Sequence, residues 1–273
     1  MRRLPLALPF LLLTFTLAAQ DLSGYEKILL PVDPFVTVLG ASGTQFSTRL
    51  DVWGPAPFQY YFGGDATHTY DPTSPAPEPL QPLSGPPTDI GRLLSIEKNA
   101  VPNVSLHLEL TAQPAGAADY LGRIDSVPVV RERDFRTGAI VFPRIPFPYV
   151  YLTDAIARQP SDLYRHLLRI YDVDARGDAA VRIKVYHLNI GGTLIKEAVV
   201  PINGRYGNDP SFPNYAVVDL DTLFSHCIPF SQHTPCLGMN ARIEITPETP
   251  GLRYWAFVSV TNNFTQEVTL YNP

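Results

Sequence analysis

The amino-acid sequence predicts an all-β fold built from two tandem antiparallel β-sandwich domains that are related by internal duplication. Three observations predict it: many turn-forming and aromatic residues, stretches of period-two alternation, and one repeated segment. The chain has 28 prolines and 18 glycines, together with 14 tyrosines and 14 phenylalanines. Prolines and glycines end regular elements, and aromatic residues favour strands. Because 45% of the residues are hydrophobic and 17% are charged, the chain can also form packed cores.

Alternation of apolar and polar residues marks several strands. Between Val104 and Leu110 every second residue is apolar, and the segments 181–185 and 242–246 follow the same pattern. Such a period predicts half-buried strands in antiparallel sheets. The segment 254–260 is apolar at almost every position, which predicts a central strand covered on both faces. We also expect the segment 168–186 to form a hairpin with an acidic tip.

A repeated segment indicates the duplication. Residues 27–35 align with residues 139–147, and two prolines and a phenylalanine coincide. A similar strand follows each copy, at 48–53 and at 165–171. The matching order of elements predicts a first sandwich over residues 21–136 and a second over residues 137–273. The proline-rich stretch 71–87 is expected to be a surface loop of the first sandwich.

The N-terminal residues 1–20 resemble a signal peptide. Arg2 and Arg3 precede an apolar run from Leu4 to Leu17, and small residues follow at Ala18 and Ala19. A membrane anchor is the alternative, but the run is short and interrupted by proline. We therefore expect cleavage between Ala19 and Asp21 and a periplasmic, cell-surface or secreted protein. No second apolar stretch of membrane-spanning length follows, so we expect no membrane insertion after the signal is removed.

The charge balance and the absence of motifs exclude several functions. The formal net charge is −5, and no run of Lys and Arg occurs, so a nucleic-acid partner is not expected. No nucleophile elbow, phosphate loop, dinucleotide fingerprint or metalloprotease motif occurs, and we expect no cofactor and assign no catalytic residue. Asp219 and Asp221 would point the same way from a strand. Such a pair could serve acid–base chemistry, but it more often forms a solvated edge.

The two cysteines are candidates for a disulfide or for a metal site. Cys227 and Cys236 are separated by a short segment that contains two prolines. In an oxidising compartment such a pair closes a small loop worth about 2–3 kcal/mol. His226 and His233 could instead join the cysteines around zinc or copper. All four ligands would then come from one cramped loop, so the disulfide is favoured.

Aromatic residues give the strongest hint of binding. Trp53, Tyr60, Tyr61 and Phe62 are candidates for stacking on a ligand. The competing interpretation is a strand that faces an aromatic-rich core, and this interpretation is favoured. Period-two alternation would place Tyr60 and Phe62 on one face of that strand and Tyr61 on the other.

Three framework segments give the chain a family resemblance. The residues concerned are 25–32, 127–138 and 252–263. With them the chain resembles exported bacterial proteins that carry tandem immunoglobulin- or fibronectin-like domains. The resemblance implies a sandwich fold and placement outside the cytoplasm, but no catalytic residue. We expect a non-enzymatic structural or interaction protein with an unknown protein or glycan partner at the cell surface. A carbohydrate-binding or carbohydrate-active sandwich is the alternative.

Overall fold

Strands dominate the structure, a computed structural model that describes residues 23–32, 37–39, 44–62, 67–73, 91–113, 122–123, 127–147, 164–206, 212–224, 239–263, 265 and 267–273. The pairings between these strands are antiparallel. Within this part of the chain there is one α-helix, which has five residues. None of the described helices is long and apolar enough to cross a membrane. The predicted all-β class is confirmed.

The strands fall into two consecutive groups. The first group is β1 (Tyr25–Leu30), β2 (Thr37–Leu39), β3 (Gln45–Trp53), β4 (Phe58–Phe62), β5 (His68–Tyr70), β6 (Arg92–Glu97), β7 (Ser105–Gln113), β8 (Gly122–Arg123) and β9 (Val130–Arg131). The second is β10 (Ile140–Phe147), β11 (Tyr164–Asp172), β12 (Ala180–His187), β13 (Thr193–Pro201), β14 (Asn214–Asp219), the helix α1 (Leu220–Phe224), β15 (Met239–Pro247), β16 (Tyr254–Asn262) and β17 (Val268–Tyr271).

Each group forms one sandwich of two sheets. In the first sandwich, the sheet β5-β4-β6-β1-β9 packs against the sheet β2-β3-β7-β8. In the second, the sheet β10-β15-β12-β13 packs against the sheet β14-β11-β16-β17. The alternation read from the sequence sets which side chains enter these cores. Val181, Ile183 and Val185 of β12 are fully buried, whereas Arg182 and Lys184 between them are partly exposed.

The two sandwiches share a strand order. The order β1-β6-β4-β5 in the first matches β10-β15-β12-β13 in the second, and β3-β7-β8 matches β11-β16-β17. In addition, Ile28 and Leu30 of β1 enter the first core, as Ile140 and Phe142 of β10 enter the second. These are the residues that the repeat alignment pairs. The duplication stays a prediction, and the shared order supports it.

A third core joins the two sandwiches. We call it the interdomain core; its buried members are Leu29, Leu93, Val130, Phe135, Tyr171, Val173, Phe212, Trp255 and Phe257. Leu29 and Leu93 lie on the outer face of the first sandwich, and Tyr171, Trp255 and Phe257 lie on the outer face of the second. The double-sided apolar pattern of β16 follows from this packing. One face of the strand enters the second core and the other enters the interdomain core.

Polar contacts border the interdomain core. The Arg253 guanidinium donates hydrogen bonds to Asp174 (2.7 and 2.9 Å) and to Glu132 of the other sandwich (2.8 Å). The Lys27 ammonium also reaches Asp174, at 3.4 Å. The buried Tyr171 hydroxyl donates to the Pro31 carbonyl at 2.6 Å. Opposite charges and hydrogen bonds therefore fix the relative position of the sandwiches in addition to apolar packing.

The predicted hairpin at 168–186 is wrong. β11 pairs with β14 and β16, whereas β12 pairs with β13 and β15, so the two strands belong to different sheets. The turn between them carries the chain across the second sandwich. The buried carboxylate of Asp172 shapes this turn by accepting hydrogen bonds from the amides of Asp174 and Arg176. Ala175 adopts the left-handed backbone conformation there, with φ 51°.

Gly91 provides a test of the close approach at the interdomain core. A Cβ atom at this position would lie 2.7 Å from the Leu30 carbonyl oxygen and 3.1 Å from the Tyr171 ring. We therefore expect Gly91→Ala to lower the free energy of unfolding by about 1–2 kcal/mol through overpacking. Urea denaturation measures the loss. Gly138→Ala is the matched control, because a Cβ there meets nothing within 4 Å. Equal stabilities of the two variants would contradict the prediction.

Candidate functional site

The outer face of strands β3 and β7 is the candidate site. Six side chains define what we call the Trp53 face: Arg49, Asp51, Trp53, Ser105, His107 and Glu109. Trp53 lies opposite Ser105, Asp51 opposite His107, and Arg49 opposite Glu109. The residues between them, including Leu50 and Leu108, point into the first core. Because side chains alternate along a strand, the six project together on the other side of the sheet.

Trp53 is the exposed aromatic residue of this face. Its side chain is 51% exposed, and it is the one large exposed apolar residue among the described residues of the first sandwich. Directly opposite residues on a sheet lie about 5 Å apart and diagonal ones about 7–8 Å. Ser105 and His107 therefore lie within reach of one ligand that covers the indole.

The charges of the Trp53 face nearly balance. The Arg49 guanidinium pairs with the Asp51 carboxylate at 2.8 Å, and Glu109 adds a second carboxylate. Arg49 and His107 are exposed, whereas Asp51 and Glu109 are half-buried. The face thus offers hydrogen-bond donors and acceptors around an aromatic ring, without a strong charge of either sign.

The other aromatic candidates lie in a different sheet from Trp53. Phe62 of β4 is 3% exposed and belongs to the first core, and Tyr61 is 1% exposed with its ring edge-on to Tyr25 at 5.0 Å. Tyr60 is half-buried and stacks on His68 at 5.4 Å. Tyr60 and Phe62 share the face that packs on the first core. The structure therefore does not bring Trp53 together with Tyr60, Tyr61 and Phe62.

The corresponding face of the second sandwich is covered by protein. In the shared strand order β3 and β7 occupy the places of β11 and β16. The faces of β11 and β16 that point away from the second core carry Tyr171, Trp255 and Phe257. All three residues of the second sandwich are buried in the interdomain core. The first sandwich thus carries mainly polar residues where the second carries an apolar docking surface.

Asp219 and Asp221 form a helix start rather than a strand pair. Asp219 ends β14, and its carboxylate accepts hydrogen bonds from the amides of Asp221 and Thr222 at the beginning of α1. Asp221 accepts from the His166 amide (2.8 Å) and contacts the ring Nδ1 of that residue at 2.9 Å. The Nε2 atom of the same buried ring lies 3.2 Å from the Pro146 carbonyl. These contacts give both carboxylates a structural role.

Asp221→Ala tests this role. The substitution leaves the buried His166 ring and amide without their acceptor, so we expect a loss of about 1–2 kcal/mol in the free energy of unfolding. Denaturant titration measures it. Asp178→Ala is the control, since the Asp178 side chain is 77% exposed. An Asp221→Ala protein as stable as the control would show that the contact contributes nothing.

The cysteine loop lies outside the described residues. Cys227, Cys236, His226 and His233 all belong to the segment 225–238, so the disulfide and its zinc or copper alternative stay predictions. Within the described part of the chain, no group of three or more His, Cys, Asp or Glu side chains is arranged to hold a metal ion.

Comparisons with known proteins leave the family open. No protein-family model, curated protein or solved structure matches this chain. The resemblance to exported sandwich proteins therefore stays a prediction from the sequence.

Proposed function

We propose that this protein is an exported, non-enzymatic interaction or structural module at the cell surface or in the periplasm. The observation that carries the proposal is the interdomain core. It joins two sandwiches through buried aromatic residues and a network of opposite charges. Such a joint holds two sandwiches in one fixed arrangement, as is suited to presenting a surface to a partner.

The candidate catalytic groups support a non-enzymatic protein. The carboxylates of Asp219 and Asp221 are occupied by backbone amides and by His166. Asp172 is likewise occupied by the amides of its own turn. Groups held in this way stabilise local structure.

Export is tested by N-terminal sequencing of the protein recovered from the cells that produce it. We expect a first residue between Ala19 and Asp21, in the periplasmic or extracellular fraction. A cytoplasmic protein that retains Met1 would overturn the export part of the proposal.

Interaction is tested by co-sedimentation of the purified mature protein with envelopes of the producing cells. We expect saturable binding and no release of soluble fragments from the envelopes. Phe257→Ala, which weakens the interdomain core, shows whether the fixed arrangement is needed. Absence of binding, or release of fragments by the wild-type protein, would overturn the interaction or the non-enzymatic part respectively.

A further inference from the structure

An exposed tryptophan remains on a sheet face that is otherwise polar. Trp53 is 51% exposed, while Tyr171, on the corresponding sheet face of the second sandwich, is 1% exposed and packed in the interdomain core. An exposed indole ring offers a flat apolar surface on which a ligand can stack. The position of Trp53 points to a ligand that covers an aromatic face.

The neighbours of Trp53 define the chemistry of this ligand. Asp51 and Glu109 accept hydrogen bonds, Arg49 donates them, and His107 and Ser105 can do both. A sugar ring presents C–H bonds on one face, which carry partial positive charge and pack on the negative face of an indole ring. Its hydroxyl groups, arranged around the edge, donate and accept hydrogen bonds. The Trp53 face supplies both kinds of contact.

The charge and shape of the Trp53 face narrow the chemical class of the ligand further. The face carries one guanidinium and two carboxylates, so it attracts polyanions little, and a nucleic acid or acidic polysaccharide would meet the Asp51 carboxylate next to the indole. Among the described residues, these side chains lie along two adjacent strands of one sheet and form an open face. An open face suits an extended neutral chain better than an isolated small molecule.

The second sandwich provides an example of a sheet face that packs on protein, with which the Trp53 face can be compared. Where the corresponding sheet face packs on protein, in the second sandwich, strand β16 carries the buried residues Trp255 and Phe257. Centres of protein interfaces are depleted of charged residues and rich in apolar ones. The Trp53 face has the opposite composition around its indole, which favours a saccharide over a protein.

We propose that the Trp53 face is a binding site for a neutral polysaccharide, with Trp53 stacking on a sugar ring and Asp51 and His107 bonding its hydroxyl groups. The inference rests on the proposed interaction function and names the class of partner. It assigns the site to the sheet β2-β3-β7-β8 of the first sandwich, whose described residues contribute no buried side chain to the interdomain core.

The test uses the mature full-length protein and envelopes of the producing cells after two treatments. Periodate destroys sugar rings that carry vicinal hydroxyl groups, and proteinase removes envelope protein. We expect binding to be lost after periodate and kept after proteinase. Native gels that contain dextran, mannan or xyloglucan give a second readout, in which at least one of these neutral polysaccharides retards the wild-type protein.

Variants locate the site. Trp53→Ala should weaken binding by about tenfold or more, Trp53→Tyr should recover part of it, and His107→Ala should weaken it less than Trp53→Ala. Val199→Ala is the matched control, because Val199 is also 51% exposed but lies on β13 of the second sandwich. Unfolding curves of all variants show that they fold.

The outcomes separate this inference from the proposed function. Envelope binding that survives periodate but not proteinase would overturn the polysaccharide site and leave the interaction function intact. Binding that Trp53→Ala leaves unchanged, or no retardation by any of the three polysaccharides, would also overturn the site. Absence of envelope binding would overturn the interaction function as well.

Discussion

Phe257→Ala is expected to lower the free energy of unfolding by about 3–5 kcal/mol, the usual cost of removing a buried aromatic side chain. Phe257 is 1% exposed, and its ring packs near Tyr171 (6.3 Å between centroids) and Trp255 (5.8 Å) in the interdomain core. Because this core couples the two sandwiches, we also expect them to unfold in separate steps. Scanning calorimetry should show a broadened or split transition in place of one cooperative transition.

Two variants serve as controls for Phe257→Ala. Phe142 is fully buried within the second sandwich alone, so Phe142→Ala should destabilise that sandwich by a similar amount without loss of the interdomain contacts. The exposed Val199→Ala should change stability by less than about 0.5 kcal/mol. If Phe257→Ala were as stable as Val199→Ala, the interdomain core would contribute little in solution.

Arg253→Met is expected to lower the free energy of unfolding by about 2–3 kcal/mol. The substitution keeps most of the side-chain bulk but removes hydrogen bonds to two carboxylates, Asp174 and Glu132. These carboxylates are about one-third exposed, which limits the penalty for leaving them unpaired. Urea denaturation at neutral pH measures the loss. Arg49→Met provides a control. The Arg49 side chain is exposed and pairs with Asp51 alone among the described carboxylates, so this substitution should lower the free energy of unfolding by less than about 1 kcal/mol.

The cost of Arg253→Met should shrink on acidification. The Arg253 guanidinium holds the pKa of Asp174 below its usual range through its hydrogen bonds. Burial by itself would raise the pKa of Glu132, but the bonds from Arg253 and the Lys27 amide bring that pKa below its usual value. A lowered pKa in the folded state stabilises fully above the unfolded value of about 4, and this contribution is lost as the pH falls through the folded value.

The pKa of Asp172 is shifted in the opposite direction, so its contribution to stability changes with pH in the opposite sense. Burial raises its pKa despite the two amide bonds it accepts, so its contribution weakens as the pH rises through the folded value. Because Asp172 is present in both proteins, the difference between wild type and Arg253→Met isolates the ion network. Denaturation of both at pH 7 and pH 3 measures that difference. An equal difference at the two pH values would contradict the assignment.

Local patterns in the sequence predict the strands better than their arrangement. The alternation around Val181, Ile183 and Val185 identifies a half-buried strand because only one face of it can be apolar. The same pattern does not show which sheet the strand joins. The sequence therefore predicts a hairpin at 168–186, although the chain crosses between sheets there. The apolar residues on both faces of β16 correctly predict a strand that is covered on both faces. The identity of the second cover, the first sandwich, depends on contacts distant in the sequence.

Local patterns are also insufficient to assemble the candidate site. Closeness in the chain groups Trp53 with Tyr60, Tyr61 and Phe62, yet β3 and β4 belong to opposite sheets of one sandwich. His107, the cross-strand neighbour of Asp51, could be found only from the pairing of β3 with β7. Asp219 and Asp221 were expected to point the same way from a strand. A short helix begins between them because the Asp219 side chain binds the first amides of the turn.

The order of the four sheets also has a mechanical consequence. β1 and β17 belong to the two sheets that pack against each other across the interdomain core. Tension applied between Tyr25 and Tyr271 would therefore pass through these two sheets and the interdomain core between them. The sheet that bears Trp53 lies off this line of force and is held by packing on the first core. We expect a pulled molecule to be strained first at the interdomain core, while the Trp53 face keeps its geometry.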